Sequence, residues 1–383
     1  MKPRIRITHL ITTLDVGGSE MVLYRLLKHL DAARFENRVI SLVAPGDVGA
    51  QIAALGISVD TLDMPRGRPT LRGFIKLVRL LKNYQPDVLQ TWLYHADLLG
   101  LFAGKLAGVP NIFWNVRSSN MDMTQYRRLS GWTVRACSKL AAMPRGVVIN
   151  SRAGLRYHTG IGYHPRRWIL IPNGIDTDHF RPHPHARRAL LAELSLPETD
   201  ELLLIGYVAR FDPMKDHATF FRAAREFVNT GYNAHFILCG TDMLESNADL
   251  LMMMGAQEFR SRVHLLGPRR DIASITAGLD WAVSASLSEG FPNTIVEAMS
   301  SGVPCVVTAV GDSAEIVADT GRFISPGDDA QMVAAWRELA DAGTAHRHNS
   351  GELARQRVLE NYSQDKMIQA YEELYAQPGG AAE

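Results

Sequence analysis

Two acidic residues, Glu289 and Glu297, flank the text EGFPNTIVE inside SLSEGFPNTIVEAMSSGVPCVV. The stretch reads as a strand end, a loop, a helix beginning near Asn293, a stop at Gly302 and a following strand, with Asn293 a residue type able to cap the helix. Glu289 then lies in the loop and Glu297 in the helix, so the two carboxylates have different jobs. A carboxylate accepts paired hydrogen bonds from vicinal hydroxyls. One can hold a ribose and the other a sugar ring, while the N–H groups of the helix start, from Gly290 and Phe291 to Asn293 and Thr294, face a diphosphate. The plainer alternative is a solvated helix charge and a loop acid.

The segment YVARFDPMKDH places Arg210 and Lys215 on either side of a proline turn, just after an apolar run. Two permanent cations at the carboxyl end of a strand suit a diphosphate leaving group, Arg through its planar fork and Lys as a compact point charge. Without an anion site beside them they are surface charge. In LDVGGSE, Gly17 and Gly18 stand between a strand and a helix. There they either let backbone N–H groups approach a phosphate or make a simple turn.

The elements that must position these groups follow from periodicity. Short β-branched apolar runs (RIRITHLIT, NRVISLVA, DVLQTW, NIFWNV, GVVINS, WILIPNG, then LLLIGYVA, AHFILCG, VHLLG, WAVSAS, CVVTA, GRFIS) alternate with amphipathic helical patterns. Continuous apolar strands of this kind belong to parallel sheets covered on both faces, the mark of doubly wound α/β domains. A length of 383 residues accommodates two such domains. The boundary falls in IPNGIDTDHFRPHPHARR, giving 1–178 and 179–383, with a last helix at about 363–377 that can pack back on the first domain and a disordered PGGAAE tail.

Composition narrows the setting. With 46% hydrophobic and 21% charged residues the chain reads as soluble, and no apolar run reaches the roughly 18 residues a membrane span requires. MKPRIRITHLIT reads as a first strand and not as a signal peptide. Cys137, Cys239 and Cys305 are too scattered for a disulfide or metal framework and suit a reducing, cytoplasmic compartment. Net charge is only +1, yet residues 1–175 hold 24 Lys and Arg against 10 Asp and Glu, a net of +14 that leaves −13 for the rest. A basic N-terminal half favours an anionic partner, or else the two halves neutralise one another.

Taken together, EGFPNTIVEAM, ARFDPMKD and GGSE, with NGID at 173–176 and SPGD at 325–328, resemble glycosyltransferase family 4 along nearly the whole chain. The resemblance implies two Rossmann-like domains of GT-B type facing each other across a cleft, and retaining transfer of a hexosyl group from a nucleotide sugar. By the same resemblance Glu297 holds the donor ribose, Glu289 the hydroxyls of the transferred sugar, Arg210 and Lys215 the diphosphate, and Gly18 touches it through its N–H. His95 in QTWLYHADLLG matches the family's active-site histidine, although a lone His at a helix start is often structural. Leu265 and Gly267 match the segment that lies along the base through main chain. Asn115 and Arg117, at another strand end, face acceptor or donor phosphate. Two departures are Ala209 before Arg210 and Asp216 after Lys215, where many relatives carry Gly; an exposed Asp216 weakens the local positive field by several tenths of a kcal/mol.

No H-E-x-x-H and no Cys/His cluster points to a metal, so no cofactor is expected and the cations take the metal's place. The acceptor is expected to be a glycan or lipid-linked sugar of a surface polysaccharide, bound by the N-terminal domain. In LRGFIKLVRLLKNY, Leu71, Phe74, Ile75 and Val78 fall at helical spacing with Arg72, Lys76 and Arg79 on another face. With Arg66, Arg68, Arg127, Arg128, Arg135, Lys139 and Arg145 near Trp132, this text suits the anionic inner face of the cytoplasmic membrane or a solvated basic face. Nucleic acid is not an expected partner, because no recognition helix or aromatic platform is present. The alternatives are a sugar-nucleotide epimerase, which would isomerise its donor without acceptor, and a non-catalytic nucleotide-sugar sensor. A dehydrogenase lacks its G-x-G-x-x-G after the first strand.

Overall fold

The computed structural model of the chain describes residues 3–117 and 128–377. Two compact units emerge, 1–174 together with 365–383, and 175–364. The boundary thus falls at 174 and not at 178, and the last helix, Gln364–Ala376, is a member of the first unit.

The first unit carries seven strands: β1 Ile5–Ile11, β2 Phe35–Ser41, β3 Ser58–Thr61, β4 Val88–Trp92, β5 Asn111–Val116, β6 Gly146–Ile149 and β7 Trp168–Leu170. They form a parallel sheet in the order β3-β2-β1-β4-β5-β6-β7. Side chains alternate between its faces as a pleated strand requires: Ile112 and Trp114 pack into one core, Phe113 into the other. The helices Leu71–Tyr84, Tyr94–Ala107 and Arg128–Leu140 cover the first face. Helix Gly18–His29 and the C-terminal helix cover the second, where Met367, Tyr371 and Tyr375 join Leu23, Phe35 and Trp92. The edge strand β3 is absent from the expected set; its text, SVDT, has one apolar residue and no buried one.

In helix Leu71–Tyr84 the Thr70 side chain accepts from the N–H of Gly73 at 3.2 Å, a cap that contributes about 1 kcal/mol. Gly73, Leu77 and Leu81 turn inward, Phe74 and Val78 are half-buried, and Leu71 and Ile75 are exposed among Arg72, Lys76 and Arg79. The expected apolar stripe therefore splits between core and surface. Arg127 and the Arg128 side chain lie outside the described residues, as does the 378–383 tail.

The second unit carries β8 Leu203–Val208, β9 Ala234–Cys239, β10 Val263–Gly267, β11 Trp281–Ser284, β12 Cys305–Thr308 and β13 Arg322–Ile324, all parallel in the order β10-β9-β8-β11-β12-β13. Phe220 and Trp336 pack on one face; Leu190, Ile295, Met299 and Ala354 pack on the other. In each sheet the strand order reverses once, between β1 and β4 and between β8 and β11. A crevice opens beyond the carboxyl ends of the strands at such a reversal. Cys137, Cys239 and Cys305 are buried thiols.

Candidate active site

In the second unit, the loops leaving β8 and β11 flank the reversal. Asp212 shapes the first: its Oδ1 accepts from Met214 N–H at 2.9 Å, capping the short turn Pro213–Lys215, and its Oδ2 accepts from Arg210 Nε at 2.9 Å. The Met214 N–H, with Arg210 beside it, holds this carboxyl below its ordinary range. The buried Tyr207 hydroxyl donates to the Lys215 carbonyl, and Leu287 N–H of the β11 loop donates to Met214 O at 2.8 Å. The two loops are thereby stitched together.

Across that seam the Lys215 ammonium donates to Glu289 Oε1, which also accepts from Ser286 Oγ at 2.7 Å. Both side chains are largely sheltered, 23% and 13% exposed, whereas Arg210 is 67% exposed. The Glu289 loop is fixed from behind by Asp312 N–H on Gly290 O at 3.1 Å and by Thr308 Oγ1 on Ser286 O at 2.6 Å. Gly311, at φ +61, leaves no room for a side chain: a Cβ there would stand 2.4 Å from the Glu289 carbonyl oxygen.

Helix Asn293–Ser300 follows, with Glu297 half-buried on it. Asn293 is its first residue and not its cap; Pro292 holds the cap position, and no side chain closes that end. Pro292 has no N–H and the Asn293 N–H is bonded to Phe291 O, so the helix start offers fewer donors than the text promised. Phe291 turns its ring into the core against Tyr362. Asp216 adopts φ +47, a left-handed conformation that favours glycine. Its carboxylate caps helix His217–Asn229 through Thr219 N–H at 3.1 Å. Gly267 spends its N–H on Met243 O and its carbonyl on Gly240 N–H, while Leu265 packs half-buried on the core. Gly267 therefore lacks the free N–H expected of a base-lining segment.

In the first unit, Gly17 caps helix Gly18–His29. A Cβ at Gly17 would meet the Glu20 carboxylate at 2.4 Å, whereas one at Gly18 would meet nothing within 4 Å. Gly17 accommodates an acid folded back over the helix start, and Gly18 faces open space. Burial raises the Glu20 carboxyl above its ordinary range. His95 is the second residue of helix Tyr94–Ala107 and half-buried, and desolvation lowers its pKa, favouring the neutral ring. The residue that swings the chain into this helix, Leu93, sits at φ +72, a strained conformation for a leucine and of the kind that collects at functional sites.

Asn115 does not stand open to a ligand, whereas Arg117 is half-buried. Asn115 is buried, its amide donating to the Tyr371 hydroxyl at 2.8 Å. Arg117 donates to Asn173 and, at 3.4 Å, to Asn115 Oδ1, with its guanidinium 5.5 Å from the Trp92 ring centroid. They tie the sheet edge to the C-terminal helix. Sequence reasoning missed Asp212, Ser286, Glu20 and Gly311. The Asp-Pro turn and the S-x-x-E after β11 were the available signals for the first two. Among the described residues, no group of three or more His, Cys, Asp or Glu is placed to hold a metal ion, and no helix is long and apolar enough to cross a membrane.

Residues 16–179 match the family model described as Glycosyltransferase Family 4, and residues 203–342 match Glycosyl transferases group 1. The chain is 24% identical over 319 residues to the UDP-Gal:alpha-D-GlcNAc-diphosphoundecaprenol alpha-1,3-galactosyltransferase of Escherichia coli, covering 80% of this chain and 79% of that protein. It is 23% identical over 286 residues to the N,N'-diacetylbacillosaminyl-diphospho-undecaprenol alpha-1,3-N-acetylgalactosaminyltransferase of Campylobacter jejuni, covering 71% and 73%. The Anabaena HepE crystal structure in complex with UDP-glucose superimposes with a TM-score of 0.79 at 21% identity, covering 97% of this chain and 100% of that one. That likeness establishes the GT-B type of fold.

Proposed function

The chain belongs to glycosyltransferase family 4, and from that premise we propose that this glycosyltransferase moves a hexosyl group, with retention and without a metal, from a nucleoside-diphosphate sugar to a lipid-linked or polysaccharide acceptor. The observation that carries the reading is the Lys215–Glu289 pair across the strand-order reversal of the second sheet. An incoming diphosphate competes with Glu289 for the ammonium. Lys215 shifts toward phosphate, and Glu289 is released to accept from sugar hydroxyls. Lys215 is thus masked until donor arrives.

As the bond from the anomeric carbon to the diphosphate oxygen breaks, its electron pair goes to the leaving group, where Lys215 and the more exposed Arg210 neutralise the charge. The acceptor oxygen forms its new bond on the same face, and its proton passes to the departing phosphate. No side chain is assigned as the base. Glu297 is the ribose partner, and neutral His95 supplies a hydrogen bond to a sugar hydroxyl without adding charge.

The E. coli and C. jejuni relatives are named for diphosphoundecaprenol-linked acceptors, which supports a lipid-linked acceptor here. The first unit's surface supports an anionic membrane as partner. Three helices packed side by side expose Leu71 and Ile75, Phe102 and Leu106, and Trp132, among Arg72, Lys76, Arg79, Lys105, Arg135 and Lys139. Sedimentation with anionic liposomes at low salt checks this, and failure to sediment removes the membrane from the proposal.

The transferase reading is tested with a panel of UDP-, GDP- and ADP-sugars plus membrane extract and a chelator. Acceptor-dependent release of one nucleoside diphosphate, lost in Glu297→Ala, is the expected result. Release unchanged in that variant overturns the site, and loss of release on chelation overturns the metal-free mechanism.

A further inference from the structure

The N-G-I-D text at 173–176 and the residue just after β5 meet at the carboxyl edge of the first sheet. Arg117 is half-buried there and is held from several elements at once. Its Nη2 donates to Asn173 Oδ1, past the end of β7, and its Nη1 to Asn115 Oδ1 on β5 at 3.4 Å. The Trp92 ring at the end of β4 lies against the cation, its centroid 5.5 Å from the guanidinium carbon. The Tyr371 hydroxyl of the C-terminal helix, which accepts from Asn115 at 2.8 Å, is turned to the same guanidinium. Asn173 is itself held, accepting from Asn150 Nδ2 at 3.3 Å.

All of these partners are neutral. Among the described residues no carboxylate stands within ion-pair reach of Arg117, and Glu20, folded over its own helix start, acts on it only across space. By contrast, the sheltered guanidinium of Arg38 on β2 pairs directly with Asp60 at 2.7 Å. Taking a guanidinium out of water without a counter-ion is costly, and desolvation does lower the pKa of Arg117. A cation fixed in direction but not neutralised is the arrangement of a preorganised anion site. A guanidinium has five N–H donors, more than Asn173, Asn115 and Tyr371 use, and its planar fork matches a pair of phosphate oxygens.

We propose that Arg117 binds the diphosphate of a lipid-linked acceptor, with Asn173 and Tyr371 as the positioning residues that aim it. The inference rests on the transferase reading above and deepens it by choosing the lipid-linked acceptor over a neutral polysaccharide. In that reading Lys215 and Arg210 of the second unit take the donor's diphosphate, so an uncompensated guanidinium in the first unit answers to the other substrate. An acceptor joined to its lipid through a diphosphate brings the negative charge and the paired oxygens that the fork takes.

The test is fluorine NMR on the full chain labelled with fluorotryptophan, the Trp92 signal being identified by its absence in Trp92→Phe. The probes are geranyl diphosphate, inorganic sulfate and the nucleoside diphosphate that the donor screen identifies. The expected result is a saturable Trp92 shift with geranyl diphosphate that persists under saturating nucleoside diphosphate and in Lys215→Ala. In Arg117→Gln the concentration for half-saturation should rise at least about tenfold, the usual size for a hydrogen bond to a charged group. Arg117→Lys returns the charge without the bonds to Asn173 and Tyr371, and should recover part of the affinity. No shift, an equal shift with sulfate, displacement by the nucleoside diphosphate, or equal loss in Arg117→Gln and Arg117→Lys overturns the proposal. Nucleoside diphosphate release from the same preparation separates the two readings. Release without the Trp92 response defeats the Arg117 site alone, whereas no release from any donor defeats the transferase reading whatever Trp92 shows.

Discussion

Lys215 and Glu289 stand 74 residues apart in the chain and share a sheltered ion pair, with Ser286 as a second donor to the same carboxylate oxygen. The pairing joins the loops after β8 and β11, so the charge that would neutralise a leaving diphosphate is held by the carboxylate that would hold the sugar. Removing Lys215 has two effects, loss of a phosphate cation and an uncompensated Glu289. Lys215→Ala is expected to lower kcat by roughly 10²- to 10³-fold, the usual size for one preorganised charge-stabilising donor, as read by product formation at saturating donor.

Gly311 is a purely geometric support for the same loop. Gly311→Ala places a methyl in a left-handed conformation costing about 1–2 kcal/mol, against a carbonyl 2.4 Å away. The loop must yield, and a displacement near 1 Å at Glu289 is expected to cost about 100-fold in kcat. Thermal unfolding should confirm that the second unit remains folded.

Much of this was legible in the sequence. The alternation of apolar runs and helical patterns located twelve of the strands. Edge strand β3 escaped because its text, SVDT, carries a single apolar residue, whereas β7, an edge strand with no buried residue either, reads WIL. The pairings around the clamp escaped for a different reason: Arg210, Lys215 and Glu289 are visible as residue types, but Asp212, Ser286 and Gly311 matter only through contacts made on folding. Asn115 was misread because a strand-end position looks the same whether its side chain faces a ligand or, as here, Tyr371 from the far end of the chain.

That far end yields another expectation. Met367, Ile368, Tyr371 and Tyr375 are buried in the first unit's core, and each fully buried large side chain contributes about 1.5–3 kcal/mol. A chain ending at residue 363 should lose the first unit's cooperative unfolding transition in calorimetry. A truncated chain with both transitions intact would contradict the assignment of this helix.

Asp97 is fully buried and accepts from Thr91 Oγ1, and desolvation raises its carboxyl well above the ordinary range. The folded chain keeps a proton that the unfolded chain releases above about pH 4, so this group lowers stability as pH rises. Asp97→Asn keeps the size and the acceptor oxygen, and should raise Tm at pH 7–8 by several degrees with little change near pH 4.

Buried histidines act in the opposite direction. Desolvation lowers His9, His158 and His217 to about 4, so each is neutral when folded and charged when unfolded between roughly pH 4 and 6.5. Stability is therefore present at neutral pH and lost as pH falls through that window, by up to about 1.4 kcal/mol per pH unit for each group. His217 stacks on Tyr207 and its Nε2 is buried with no hydrogen-bond partner among the described residues. His217→Phe should reduce the acid-side slope by one proton's worth in denaturant titrations at pH 4.5, 5.5 and 6.5.

The exchange of Lys215 between Glu289 and phosphate is tested most directly by calorimetric binding of the nucleoside diphosphate that the donor screen identifies, to the unaltered chain and to Glu289→Gln. With the competing carboxylate gone, the diphosphate should bind at least fivefold tighter, about 1 kcal/mol, while transfer of the sugar falls. Binding unchanged or weakened in Glu289→Gln would contradict the account.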